Sequence, residues 1–245
     1  PIFFLILFCI ITGLTLWEFG GLVKHYENAN LQRTVNMLGG VYLFIATFVH
    51  ANGLTDGKIF LPYLLFIMLT MIAELYYKAP NPINNWAFTL FAQIYCAGSF
   101  SMLNFIGAEP GTPLFIMAIF IFVWLDDTGA YLVGSLIGKH KLFERISPKK
   151  SWEGFFGGLI LALASSQAFA WFAPEINRMN WLGLAATVVL FGTWGDLIES
   201  LLKRTLGVKD SGNVLPGHGG MLDRFDSVML AVPASYIYIE LFIRN

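Results

Sequence analysis

An all-α polytopic membrane protein with about eight transmembrane helices is the fold this sequence predicts, and three observations carry that reading. Of 245 residues, 56% are hydrophobic and 13% charged, against about 25% charged in a soluble domain. Mean hydropathy is +0.65. The apolar residues also come in blocks, and a block of about 20 is long enough to cross a bilayer. Together these exclude a disordered chain, a collagen-like repeat, a small disulfide scaffold and an ordinary cytosolic enzyme.

The first block, residues 1–23, opens without a charged leader or a cleavage site, so it reads as a span and not as a signal peptide. Further spans follow at 34–51, 59–77, 86–106, 113–138, 153–173, 181–203 and 225–243. Short breaks rich in Asn, Pro, Gly and charge separate them, as in Lys78-Ala79-Pro80-Asn81-Pro82. Cys9 and Cys96 sit far apart inside apolar blocks and read as apolar filler, with no metal or disulfide spacing. No soluble domain, low-complexity segment or internal repeat interrupts the series.

Basic residues orient the bundle, because Lys and Arg near span ends favour the cytoplasm. One set of alternate loops carries Lys24, Arg33, Lys78, Lys139, Lys141, Arg145, Lys149, Lys150, Lys203, Arg204, Lys209 and Arg224. The other set holds only Lys58, Arg178 and Arg244. Twelve against three makes loops 139–152 and 204–224 cytoplasmic. Both ends of the sequence then lie outside, which predicts a further helix before residue 1, nine in all.

A charge at the centre of a span costs about 2.5–3.5 kcal/mol on insertion scales, so it calls for a partner or a function. The fifth span carries Asp126 and Asp127, the seventh Asp196 and Glu199. Glu18 and Glu74 lie near cytoplasmic span ends, where solvation suffices. In the seventh span Asp196, Glu199, Ser200 and Lys203 follow i, i+3, i+4, i+7 spacing and share one helix face. Asp196 is about 10 Å deeper than Lys203, so a cavity along this face would open to the cytoplasm. In the sixth span Gly154 and Gly158 have the spacing of close helix packing.

Beyond the seventh span come Lys209-Asp210-Ser211-Gly212, then Pro216-Gly217-His218-Gly219-Gly220, then Asp223-Arg224-Phe225-Asp226. Glycines let backbone N–H groups approach an anion, and the bases add charge. Asp223 and Asp226 share a face if the last helix begins there, and hard carboxylates suit Mg²⁺. His218 stands alone in its loop and reads as a phosphate donor, since no second His makes a zinc site. The set points to a metal-bound polyphosphate beside a lipid. Gly134 to Lys139 lacks Walker A spacing, and no CDP-alcohol phosphotransferase pattern appears.

The run from Ser200-Leu201-Leu202-Lys203-Arg204 through Lys209-Asp210 and His218-Gly219-Gly220 to Asp223-Arg224-Phe225-Asp226 resembles the phosphatidate cytidylyltransferase (CDP-diacylglycerol synthase) family, bacterial type. Asp127-Thr128-Gly129-Ala130-Tyr131 and Ser147-Pro148-Lys149-Lys150-Ser151-Trp152-Glu153-Gly154 are similar to further segments of it, with Lys149 and Ser151 in place of a commoner Gly and Thr. The likeness covers residues 124–230. It implies transfer of CMP from CTP to phosphatidate, giving CDP-diacylglycerol and pyrophosphate, on a helical bundle with a polar funnel.

The resemblance further implies Mg²⁺ in a two-cation site, the second ion K⁺ or another Mg²⁺, held by Asp196, Asp223, Asp226 and Asp127. Lys203, Arg204, Asp196 and Asp223 become the catalytic set. Lys150, Ser151, Ser200, Lys209, His218, Gly219, Gly220 and Arg224 become the substrate- and phosphate-binding set. Residues 1–106 are then generic membrane helices, and 107–245 a catalytic membrane bundle. The implied protein is a homodimer of the bacterial inner membrane, facing the cytoplasm and binding no nucleic acid. Two alternatives stand beside it. A CTP-dependent polyprenol or phytol kinase would release CDP, and a cation-coupled transporter would use Asp127 and Asp196 as intramembrane acids.

Overall fold

The structure, a computed structural model, describes residues 2–26, 29–108, 113–212, 214 and 219–244. Among these, eight helical stretches are long and apolar enough to cross a membrane: Ile2–Val23, Arg33–Ala51, Gly57–Tyr77, Pro82–Gly107, Pro113–Ile137, Trp152–Phe172, Arg178–Thr205 and Leu222–Phe242. The expected all-α polytopic membrane fold is present. Four of these stretches are single α-helices already bounded here: α1 (Ile2–Val23), α2 (Arg33–Ala51), α6 (Pro113–Ile137) and α7 (Trp152–Phe172). Another, α8, runs Arg178–Thr205.

The other stretches are composite. A 3-10 turn at Gly57–Phe60 leads into α3 (Leu61–Tyr77). The fourth stretch joins α4 (Pro82–Ala92) to α5 (Ser99–Gly107) through a π-helical turn at Gln93–Gly98. That turn aims the buried Gln93 at α2, where its Nε2 donates to the Asn36 carbonyl at 2.7 Å and to Asn36 Oδ1. The eighth breaks after the short helix α9 (Leu222–Phe225) and resumes as α10 (Val228–Phe242). Loop 139–152 folds as an antiparallel hairpin of β1 (Lys141–Phe143) and β2 (Ser147–Ser151), with Lys141 opposite Ser151.

The chain forms two compact bodies, residues 1–108 with 203–225, and residues 109–202 with 226–245. In the first, Leu16, Phe19, Phe44, Phe100 and Leu103 are wholly buried. Phe8 stacks on Phe44 with centroids 6.1 Å apart, and Phe100 meets Phe225 edge-on at 5.4 Å. Asn104 Nδ2 donates to the Phe44 carbonyl and to Thr47 Oγ1, so a polar side chain ties α5 to α2 inside the apolar core. The helix α3 buries none of its residues.

In the second body, Trp181 packs against Phe115 and Phe169, each with centroids 5.4 Å apart. Glycines let α6 and α7 touch along their backbones. A Cβ on Gly129 would lie 2.8 Å from the Gly157 carbonyl oxygen, and one on Gly154 equally close to that of Ala130. Small residues at such a crossing are the usual means of close approach in a membrane, where apolar side chains gain nothing by leaving lipid. Gly129→Val should therefore destabilise the protein by about 1–3 kcal/mol, seen as a lower unfolding midpoint in detergent. Ile160→Leu, on an exposed position of α7, should leave the midpoint unchanged.

Candidate active site

The second body gathers charged groups from four elements. The hairpin ends where Ser151 Oγ accepts from the Gly154 N–H at 3.1 Å, a side-chain cap on the N-terminus of α7. Its base is held by Glu153, whose carboxylate accepts from the N–H groups of Lys139 and His140, both at 3.2 Å, and meets His140 Nδ1 at 2.6 Å. This fixes β2 so that Lys150 Nζ reaches Asp196 Oδ2 at 2.5 Å. One turn further along α8, Ser200 Oγ donates to Asp196 Oδ1 at 3.2 Å.

Two more acids come from α6, and a fourth from the break before α10. Asp126 is only 6% exposed, and its Oδ1 is buried without a hydrogen-bond partner. Asp127 lies beside it. Gly195 admits the backbone of Asp226 closely, since a Cβ there would stand 2.7 Å from the Asp226 carbonyl oxygen. Asp126, Asp127 and Asp226 each lie within electrostatic reach of Asp196 and of Lys150. A cavity of about 210 Å³ opens among Asp126, Asp127, Lys149, Lys150, Ser151 and Thr193.

In the first body a separate cluster closes on Asp223. Lys203 Nζ, in the last turn of α8, lies 2.7 Å from Asp223 Oδ1. The N–H groups of Ser211 and Gly220 donate to Oδ2 at 2.9 and 2.8 Å. Gly219 has φ +80°, a left-handed conformation that a β-carbon would strain, and the turn brings the Gly220 N–H round to the carboxylate. Beneath the turn lies Glu18 of α1, 4% exposed. Its Oε2 accepts from the Leu222 N–H at 2.8 Å and from Ser211 Oγ at 3.4 Å. Three donors thus cradle the Asp223 carboxylate, and a second acid is buried below them.

Of the residues singled out by sequence, the structure brings Lys150, Ser151, Asp127, Asp196, Ser200 and Asp226 into the second body's cluster. Lys203, Gly219, Gly220 and Asp223 fall in the first body's. Arg204, Lys209 and Arg224 are exposed, with Arg204 Nη1 donating to the Val208 carbonyl at 3.3 Å. His218 lies outside the described residues, as do Leu215, Pro216 and Gly217. Among the described residues no three His, Cys, Asp or Glu side chains stand grouped to hold a metal. Carboxylate oxygens are nonetheless the donors a hard cation takes, and Asp126 Oδ1 has no donor of its own.

Asp126, Glu18 and Ser211 belong to these clusters without having been chosen as site residues. Asp126 and Glu18 carried a signal, an acid in an apolar helix. Ser211 stood within the run Lys209-Asp210-Ser211-Gly212, but its part, a backbone N–H and a hydroxyl, is placed by the fold.

Membrane-length helices with paired acids and bases at their polar ends define a polytopic membrane protein with a charged internal site. The profile of the Cytidylyltransferase family matches residues 1–242, and the chain belongs to that family. It is 53% identical over 121 residues to the phosphatidate cytidylyltransferase of Staphylococcus aureus (strain COL), covering 49% of this chain and 46% of that protein. With the enzyme of the same name from Staphylococcus haemolyticus (strain JCSC1435) the identity is 54%, over the same shares. The match thus spans about half the length of these relatives.

Glu18→Ala should leave the buried Leu222 N–H without an acceptor, a loss of about 1–3 kcal/mol. Amide hydrogen exchange at Ser211 and Leu222 should speed up in that variant and stay close to wild type in Glu18→Gln, which keeps an acceptor oxygen. Unchanged exchange at Leu222 in Glu18→Ala would contradict the cradle.

Proposed function

We propose that this chain transfers CMP from CTP to phosphatidate, releasing pyrophosphate and forming CDP-diacylglycerol in the bacterial inner membrane. The observation that carries the reading is the cradle around Asp223. Lys203 and the N–H groups of Ser211 and Gly220 converge on one pair of oxygens, which is the donor set a phosphate needs. The family and the names of the relatives supply the substrates.

The chemistry needs little from the protein by way of acid or base. A phosphatidate phosphate oxygen is already anionic, so no general base has to make it a nucleophile. It attacks the α-phosphorus of CTP, forming a P–O bond as the bond to the β-phosphate oxygen breaks. Pyrophosphate departs with that electron pair. The difficulty is bringing one polyanion to another in line, which fixed cations and backbone donors ease. In this proposal Lys203, Gly219 and Gly220 hold phosphate oxygens where Asp223 now sits, with Arg204, Lys209, His218 and Arg224 around them. Lys150, Ser151 and Ser200 serve the acid-rich cluster.

Asp196, Asp127 and Asp226 would hold Mg²⁺, with K⁺ or a second Mg²⁺ as the other ion. When bound, such an ion screens the approach of the anions and neutralises the leaving pyrophosphate. The excess of Lys and Arg in the loops 139–152 and 204–224 supports a cytoplasmic face for these residues, and a homodimer is the proposed working form.

The test is product analysis in mixed micelles with Mg²⁺, phosphatidate and CTP labelled at the α-phosphate. Label should enter lipid, with pyrophosphate released only when phosphatidate is present. Release of labelled CDP on addition of a prenol would instead establish the kinase. Asp196→Asn should lower turnover at least about a hundredfold, the scale on which electrostatic groups act, with its unfolding midpoint unchanged. Turnover near wild type in that variant would end the proposed role of Asp196.

A further inference from the structure

Away from both charged clusters, the first body contains a cavity of about 390 Å³ between α2, α3 and α4, within the size range of ligand pockets. Most of its wall is apolar, with Val35, Leu65, Phe66 and Leu69 along it. Two buried donors in that wall lack an acceptor: Asn36 Nδ2 and Trp86 Nε1. Asn36 is 2% exposed.

The Asn36 amide has only one orientation open to it. Gln93 must turn its Nε2 to the Asn36 main-chain carbonyl, 2.7 Å away, and the same nitrogen donates to Asn36 Oδ1. Reversing the Asn36 amide would set two donors against each other, so Nδ2 points away from Gln93. An unanswered N–H in apolar surroundings costs free energy comparable to a lost hydrogen bond. Two of them in one cavity call for an occupant that brings acceptors.

The chemistry of that occupant follows from the wall. Among the described residues no Lys or Arg lines the cavity, and Glu74, whose Oε2 accepts from Asn85 Nδ2 at 3.0 Å, gives it an acidic side chain. A phosphate is therefore disfavoured there, and a neutral carbonyl is favoured. All three helices belong to membrane-spanning stretches, and α3 has no buried residue. The medium around them is lipid. We propose that this cavity is a lipid site, taking an acyl chain of an ester-linked glycerolipid along its apolar wall while the ester carbonyls accept from Asn36 Nδ2 and Trp86 Nε1. The site is independent of the transfer reaction and is read without any activity measurement.

The test uses the purified protein in phosphatidylcholine nanodiscs with two photoreactive phosphatidylcholines, both carrying a diazirine in the acyl or alkyl chain. One has ester linkages, the other ether linkages, which keep the chain and remove the carbonyl. Irradiation and peptide mapping should place the ester probe on α2, α3 and α4. The ether probe should label these peptides about threefold to tenfold less, the range for loss of one hydrogen bond. Trp86→Phe, which removes the N–H and keeps a ring, should bring the ratio of ester to ether labelling towards one. Ala73→Phe, which fills the cavity, should reduce both, and it keeps the test decisive if Trp86→Phe does not fold. Equal labelling by the two probes in wild type, or labelling indifferent to Ala73→Phe, would overturn the proposal, as would cross-links from α3 to a second copy in place of lipid.

Discussion

Charge inside an apolar helix bundle must be answered where it lies, because neither lipid nor side-chain hydrocarbon will solvate it. Much of this structure follows from that constraint. Asp196 is met by Lys150 and Ser200, and Asp223 by Lys203 and two backbone N–H groups. Glu18 is met by the Leu222 N–H and the Ser211 hydroxyl. Lys150 for Asp196, Lys203 for Asp223, and Ser211 and Leu222 for Glu18 come from other segments of the chain, so the acids help to specify the fold. A buried ion pair gives little net stability against its desolvation, which is reason to look for its value in what it binds.

The helices hold these groups by arrangements that depend on small residues. Backbone contact between α6 and α7 through Gly129, Gly154 and Gly157 sets Asp126 and Asp127 beside the base of the hairpin. Ser151 then caps α7 and aims Lys150. In the other body, Gly212 and Gly220 pack against the Glu18 carboxylate at distances that no side chain would permit. Close packing of this kind fixes where the charged groups stand, and electrostatic catalysis is strongest where such groups are preorganised.

Much of the fold was legible in the sequence because bilayer thickness dictates span length. The expected span 34–51 is the observed Arg33–Ala51, and 113–138 is Pro113–Ile137. The polar stripe on α8 was legible too, since helical periodicity alone puts Asp196 and Ser200 on one face. What escaped were features set by tertiary contacts. The π-helical turn at Gln93–Gly98 answers a hydrogen bond to α2 that no local propensity encodes. The hairpin in loop 139–152 depends on Glu153 gathering N–H groups across the loop. Glu18 read as a solvated helix end because its partners, Ser211 and Leu222, lie about two hundred residues away. The halves of the charged constellation looked continuous in sequence, yet they fall in different compact bodies.

The proposed reaction is a direct displacement at the α-phosphorus with no covalent enzyme intermediate. Stereochemistry tests that claim most directly. One diastereomer of CTP bearing sulfur on the α-phosphate, turned over with phosphatidate, should give a thio-CDP-diacylglycerol of inverted configuration at phosphorus. Retention would mean two displacements through an enzyme-bound cytidylyl group, and would contradict the account.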